Sequence, residues 1–510
     1  MNFPTTSAGA RSKSVVRRTI VQVPIKQQTV RVPPSNGASR AAPARASDPN
    51  RWKPSNAKSS YSKMPANPAK RALSNARGVK RKSVTPQPGP LFSSDSEDDQ
   101  SNDTAEGSDS DASRKRLKSS PSSVDSRPPR ASLLSKEAFA EEAVIDIIHG
   151  ADVTSGEHKD KFKNPWEDED FQTVSLQYPS RSQQERFELK FPLQAEDYKP
   201  MEDITETIKT ICTYYFPAEL ATKYSHDETG YARRFNRAWQ RQSVEDFIEV
   251  INDFNTTLQD LLSDGSIQTR LSGHRNIDLE WIQRIIDQIY ARTVSWKVET
   301  LRRYENFSNN VYGELLPRFC SEIFQKTGLN HKQVFVDLGS GVGNVVLQAA
   351  LEIGCESWGI EMMDNPCELA ALQAREFPAR TRLWGLSVGE VHLLKGDFTK
   401  NDEIIEVLKR ADVVLVNNQA FDPALNDTLR DMFLDLKDGC RVASLKPFVP
   451  VGHKMALRNI DSVVNQFTQQ KFEYWSDSVS WGADHGEYFV ATKDPRPVEA
   501  FMAKYGDNDS

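Results

Sequence analysis

The sequence predicts an α/β protein with a mostly parallel sheet, preceded by a helical domain and a basic, disordered N-terminal arm. Three observations carry this. Between residues 334 and 492, short apolar runs alternate with stretches of helical spacing, the pattern of strands joined by crossover helices. From 201 to 303, apolar residues recur every three or four positions without an intervening strand pattern. Residues 1 to 130 are rich in Ser, Pro, Ala, Arg and Lys and carry few large apolar groups, so burial cannot offset the chain entropy of ordering.

A chain of 510 residues exceeds one core, and two or three parts are expected. Its formal charge of −6 conceals a division: residues 1 to 90 carry 18 Lys or Arg against one acid, Asp48, whereas residues 131 to 510 carry −20. The arm is therefore expected to contact a polyanion such as DNA, which would repel the acidic body. Two clusters suit nuclear import or phosphate contact, or are simply solvated: Lys70, Arg71, Arg77, Lys80, Arg81 and Lys82, then Arg114, Lys115, Arg116 and Lys118. An acidic serine tract at 93–111 separates them and is suited to shielding the arm or to phosphorylation. The five cysteines show no CxxC or Cys/His spacing, so neither disulfides nor a metal site is expected. No apolar run reaches membrane-spanning length and the start lacks a secretory segment, which predicts a soluble, intracellular protein.

The arm is expected to run through 1–160, with a short helical pattern at 133–148 and a polar linker to 164. Folded sequence is expected from Trp166. A helical domain spans 165–305, with a short strand at 187–191 and helices at 201–216, 230–263 and 277–303. A cofactor domain follows at 306–495, then a tail at 496–510.

The cofactor domain is organised around VFVDLGSGVGNVVLQAALEIGCESWGIE, residues 334–361. A strand at 334–336 closes on Asp337, a glycine-rich turn covers 338–343, a helix runs over 344–353, and a second strand stops at Glu361. Such a unit has the length of a right-handed crossover. The spacing Gly339, Gly341, Gly343 places Asn344 where a dinucleotide fingerprint needs its third glycine, so NAD fits poorly. A tight GxG turn with an acid able to accept two ribose hydroxyls suits S-adenosylmethionine, a nucleoside without phosphate. A purely structural turn is the competing reading.

Alternation continues with helix 364–377, strand 391–398, helix 402–408, strand 413–418, helix 423–436 and strand 440–446, and a hairpin-like pair near 472–475 and 488–492 closes the sheet. Four strands end in polar groups: Asp337, Glu361, Asp397 and Asn417 with Asn418. Ligands of such sheets bind at those ends. Asp397 followed by Phe398 suits adenine, the carboxylate accepting from the exocyclic amine and the ring stacking, although Phe398 is equally readable as core. An amide such as Asn417 can hold an amino group beside the cofactor's methyl without competing as a nucleophile.

These segments resemble a known family. FSNNVYGEL (307–315), DLGSGVGN (337–344), GIE (359–361), VNNQAF (416–421), SLKPF (444–448) and VSW (479–481) are similar to the disruptor-of-telomeric-silencing methyltransferases, over about 165–495. The resemblance implies a class I S-adenosylmethionine-dependent methyltransferase fold, Rossmann-like. It also implies transfer of methyl to a lysine in the globular core of histone H3 within nucleosomes, a nuclear location, and roles in chromatin silencing and the DNA damage response. By the same resemblance, Tyr312, Gly313 and Glu314 close over the methionine part of the cofactor, Asp337, Gly339, Gly341 and Asn344 flank it, Glu361 binds ribose, and Asp397 with Phe398 holds adenine. Asn417 and Tyr488 orient the amine, and Phe307, Ser444 and Trp481 help form the lysine channel. Gln419 departs from the aromatic ring of other members and puts the channel wall, and the degree of methylation, in question. The histones are the expected partners of a monomeric enzyme. Two other readings stand beside this one: a class I enzyme acting on nucleic acid, which the absence of an NPPY-type run disfavours, and a non-catalytic nucleosome-binding protein.

Overall fold

The computed structural model describes Arg130 and residues 132–140, 144–166, 171–301, 311–481 and 485–505. The basic clusters, the acidic serine tract and Phe307 lie outside these residues.

Order begins well before Trp166, a correction to the expected arm and linker. Leu133, Ala138, Phe139, Ile147 and Val153 are buried, although only two short helices form, α1 (Lys136–Ala140) and α2 (Gly150–Val153). Leu133 and Ser135 exchange backbone hydrogen bonds with Ser387 and Gly385, and Arg130 donates to the carbonyl oxygens of Leu351 and Ser387. The anchors are few and far apart in a polar stretch, and their partners lie more than two hundred residues away, so composition conceals them.

Strands β1 (Phe162–Lys163), β2 (Thr173–Leu176), β3 (Glu185–Glu188) and β4 (Phe191–Pro192) pair as two small antiparallel ladders, β1 with β4 and β2 with β3. Helices α3 (Pro200–Tyr214), α4 (Tyr231–Gln240), α5 (Val244–Ser263), α6 (Ser266–Gly273), α7 (Leu279–Thr293) and α8 (Val298–Leu301) build the helical part. The single helix expected at 230–263 breaks at Gln242, which takes φ +55°. There Ser243 caps the next helix, its Oγ accepting from the Asp246 amide at 3.1 Å.

An ion network joins this part to the sheet domain. Arg292 of α7 donates to Glu185 and Asp203, both at 2.7 Å, and all three side chains are at most 3% exposed. Helix α9 (Pro317–Thr327), which the sequence reading leaves out, starts at a proline and stops at Gly328 with φ +62°. It leads into β5 (Val334–Leu338), α10 (Asn344–Gln348, continued by a π turn), β6 (Glu356–Glu361) and α11 (Asp364–Leu383). Helix α11 runs beyond the expected 377, through Pro378, because Phe377, Arg380, Thr381 and Leu383 are buried against the helical part. Arg380 pairs with Glu376 at 2.7 Å and with Glu185 at 2.5 Å. Truncating Arg380 leaves the buried Glu376 without its cation and Glu185 with Arg292 alone; Arg380→Ala is expected to cost about 3–5 kcal/mol in chemical denaturation. A loss under about 1 kcal/mol would show the network to be dispensable.

The remaining elements are β7 (Val391–Lys395), α12 (Asp402–Arg410), β8 (Val413–Val416), α13 (Pro423–Met432), β9 (Arg441–Ser444), β10 (Phe467–Tyr474), β11 (Gly486–Lys493) and α14 (Arg496–Tyr505). The sheet order is β10-β11-β9-β8-β5-β6-β7; β5 to β9 are parallel, and β10 and β11 form the antiparallel hairpin at one edge. This is the class I methyltransferase arrangement. The chain moves outward from β5 in one direction to β6 and β7, then returns to its other side for β8. That reversal opens a crevice at the carboxyl ends of β5 and β8. No described helix is long and apolar enough to cross a membrane.

Candidate active site

A cavity of about 640 Å³ lies at this crevice, and the four predicted strand ends converge on it: Asp337, Glu361, Asp397 with Phe398, and Asn417 all border it. Tyr312, Gly313, Glu314, Gly339, Gly341 and Asn344 border it as well.

The turn after β5 is held open by conformation. Gly339 and Gly341 take φ +88° and +55°, and a Cβ on Gly341 would meet the Tyr312 ring at 2.9 Å. Glu361 then ties the turn to β6. Its Oε2 accepts from the Gly341 amide at 3.1 Å, and its Oε1 accepts from the Met362 and Met363 amides, both at 2.8 Å. Three of the four lone-pair sites of this carboxylate are therefore used, and one on Oε2 stays open to a ligand hydroxyl, one fewer than the two ribose bonds expected from sequence.

Asp337 is 4% exposed, and burial, aided by the nearby Glu361 charge, pushes its carboxyl up to about 7. Glu314 is raised too, by burial, against hydrogen bonds that its Oε1 accepts from Tyr312 at 2.5 Å and Tyr290 at 3.3 Å. Asp397 is lowered to about 2 by its bonds from Lys400 and Thr399. Phe398 tilts toward Phe421 with ring centroids 6.2 Å apart. Asn344 accepts from Gln373 at 2.9 Å.

The two asparagines after β8 divide their work. Asn417 Nδ2 donates to the Gly313 carbonyl at 3.1 Å, while its Oδ1 is buried with no partner. Asn418 Nδ2 donates to Asn426 and to the Lys446 carbonyl, and its Oδ1 accepts from the Leu445 and Lys446 amides, so it clamps the ends of β8 and β9.

The expected channel residues are not brought together with these. Ser444 is 2% exposed and donates to the Lys446 carbonyl at 2.9 Å; Tyr488 is 1% exposed and donates to Glu322 at 2.9 Å. Neither borders the cavity. Both sit on strands of the hairpin side, and Tyr488 packs into the apolar cluster of Leu315, Phe319 and Val479, of which Leu315 borders the cavity. Trp481 lies over Gly313, where an added Cβ would come within 2.5 Å of its ring. Gln419 is exposed and does not border the cavity.

Sequence reasoning passed over Ser340, Met362, Met363, Thr399 and Phe421, which border the cavity. Each follows a strand end by one to five residues, and that position was the available signal. Thr300 and Asn365, which bond each other at 3.0 Å at the rim, meet through tertiary packing alone and left none.

Five acids border the cavity (Glu314, Asp337, Glu361, Asp397 and Asp422) and no Lys, Arg or His among the described lining residues does. Such a lining disfavours a pyrophosphate and favours a cationic nucleoside. With the orphaned Oδ1 of Asn417 beside it, the donor set fits S-adenosylmethionine.

Comparison with known proteins agrees. The family model described as "Histone methylation protein DOT1" matches residues 290–493. The chain is 50% identical over 372 residues to a histone-lysine N-methyltransferase, H3 lysine-79 specific, of Emericella nidulans, covering 72% of this chain and 74% of that one. A protein of the same name from Aspergillus fumigatus is 46% identical over 484 residues, 92% of this chain and 93% of its own. Another, from Yarrowia lipolytica, is 41% identical over 324 residues, 63% and 66% of the two chains. A shared sequence of that depth and extent, on a fold with this crevice, assigns membership: the chain belongs to the DOT1 family of histone methylation proteins.

Proposed function

We propose that this protein is a histone-lysine N-methyltransferase that moves a methyl group from S-adenosylmethionine to a lysine in the globular core of histone H3 in nucleosomes. The observation that carries the reading is the convergence of Asp337, Glu361, Asp397 and Asn417 on one acid-lined cavity. The identity with relatives named as H3 lysine-79 specific enzymes supports the substrate.

The bound cofactor supplies an electrophilic methyl on a sulfonium. The chain supplies position. Glu361 holds a ribose hydroxyl with its remaining lone pair, Asp397 accepts from the adenine amine, and Phe398 with Phe421 flanks the base. Asn417, anchored through the Gly313 carbonyl, presents Oδ1 to an N–H of the lysine amine and so aims the amine's lone pair. The side chain enters beside Trp481, whose ring covers the other face of Gly313. A free lysine, with pKa about 10.4, is protonated at neutral pH; desolvation beside Leu315 and the Trp481 ring disfavours the ammonium on entry. No dedicated strong base is required, and alignment contributes most of the acceleration.

The function is tested with labelled methyl donor on nucleosomes, free histones and naked DNA. Incorporation into H3 of nucleosomes supports it; label on DNA alone would favour a nucleic-acid enzyme, and binding of nucleosomes without transfer a non-catalytic protein.

The basic arm accounts for docking in the nucleus. Residues 1–90, with 18 basic side chains against one acid, supply salt-dependent, sequence-independent DNA affinity that the acidic body lacks. Removing residues 1–129 is expected to lower nucleosome methylation at least about tenfold and to flatten its salt dependence. Equal activity at matched salt would refute this role.

A further inference from the structure

We infer that the outer face of α4 is a DNA-contact surface, on which Arg233, Asn236, Arg237 and Gln240 hold the phosphodiester backbone of nucleosomal DNA and so orient the body on its substrate. This rests on the nucleosome reading above and adds to it a contact made by the folded part of the chain.

Helix α4 reads YARRFNRAWQ and contains no acid. Its inner face is fixed by packing. Tyr231, Phe235 and Ala238 are buried, the Phe235 ring lies 4.7 Å from that of Phe247 on α5, and Trp239 stacks on Phe191 of β4 at 6.1 Å. Positions 233, 236, 237 and 240 follow the spacing of a single helix face and turn away from that core. Arg233, Arg237 and Gln240 are exposed, and Asn236 is half-buried. The facing acids of α5 are taken by other arginines: Arg234 pairs with Glu249 and Asp253, and Arg241 pairs with Asp246 at 3.3 Å. Among the described residues, no carboxylate pairs with Arg233 or Arg237.

A face built this way offers hydrogen-bond donors and positive charge without a competing acid. Guanidinium forks bond phosphate through two N–H groups at once, and side-chain amides add further donors to phosphate oxygens. Arg233 and Arg237 stand one turn apart, about 6 Å along the axis, so both reach the same stretch of backbone. DNA is the polyanion at hand: the target lysine lies on the histone core, DNA wraps that core, and a body seated on it has a duplex at its side. The histones themselves are basic and would repel this face.

Two free arginines on a body that carries −20 do not recruit DNA, which remains the task of the arm. They set orientation. Backbone contacts fix how a protein lies on a duplex without reading its sequence, so this face turns the cavity toward the histone surface once the arm has brought the protein to a nucleosome.

Methylation of nucleosomes by the full chain, followed against salt at subsaturating nucleosome, provides the test, together with a photo-crosslinking amino acid in place of Asn236. Arg233→Gln with Arg237→Gln should lower kcat/KM about fivefold or more at about 0.1 M salt, and should flatten the slope of log kcat/KM against log salt by about 1.8, the counterions released by two phosphates. The paired change to Lys keeps the charge and should restore most of that slope. Lys332→Glu removes the same net charge from an exposed position before β5, at the end of the sheet opposite the cavity, and should leave the slope within about 0.5 of wild type. All these variants should bind cofactor within about twofold of wild type, which shows that they are folded. The crosslinker should label nucleosomal DNA. An unchanged slope in the double variant, an equal flattening in Lys332→Glu, or a crosslink to histone in place of DNA would overturn the inference while leaving methyl transfer standing. A wild-type chain that moves no methyl to nucleosomes would instead overturn the functional reading, and this inference with it.

Discussion

Glu361→Ala is expected to weaken S-adenosylmethionine binding by about two orders of magnitude or more. One contact to a charged acceptor contributes about 1.5–3 kcal/mol, which alone corresponds to roughly ten- to a hundredfold. The substitution also leaves the amides of Gly341, Met362 and Met363 without the carboxylate they now share. The glycine turn and the end of β6 then lose the group that fixes their spacing, which adds to the loss. Glu361→Gln keeps one acceptor oxygen but turns an NH₂ toward a backbone donor or a hydroxyl, and should fall between, near tenfold. Equilibrium titration with labelled cofactor measures both. Affinity of the alanine variant within about threefold of wild type would place the ribose elsewhere.

Asn417→Ala is expected to act on the chemical step. It should lower single-turnover methylation of nucleosomes at saturating cofactor by about a hundredfold or more, because the missing acceptor is aimed at the amine. The same change frees the Gly313 carbonyl that Nδ2 now satisfies at 3.1 Å, loosening the loop under Trp481. Asn417→Asp should be comparably slow for a different reason: it sets a carboxylate against that carbonyl and stabilises the protonated amine, which has no lone pair. Rates for the aspartate variant should therefore climb more steeply with pH than those of wild type. A loss confined to cofactor affinity, with the chemical rate intact, would contradict this placement.

Much of the site could be read in the chain because each parallel strand is an apolar run that stops at a polar residue. The fold rule that ligands gather at carboxyl ends then turns four separate stops, Asp337, Glu361, Asp397 and Asn417, into one cavity. The hairpin closing the sheet was legible from two late β-rich runs for the same reason. What stayed hidden depends on contacts between residues distant in sequence. Nothing in VNNQAF distinguishes Asn417, which faces the cavity, from Asn418, which clamps Lys446. The hydroxyl of Tyr488 is turned away by Glu322, on a helix the periodicity did not reveal, so the strand register placed it in the wall and not on the cavity. Arg292, Arg380, Glu185 and Asp203 look like ordinary surface charges in sequence, yet they are buried against one another. The docking of residues 132–140 depends on a loop at 385–387 that no local pattern announces.

The most direct test of the whole account is a crystal structure of the full chain with bound S-adenosylmethionine. Adenine should lie between Phe398 and Phe421 beside Asp397, a ribose hydroxyl should meet Glu361 Oε2, and the methyl should face Asn417 Oδ1. A cofactor bound outside this cavity, or inside it with the methyl directed away from Asn417, would contradict it.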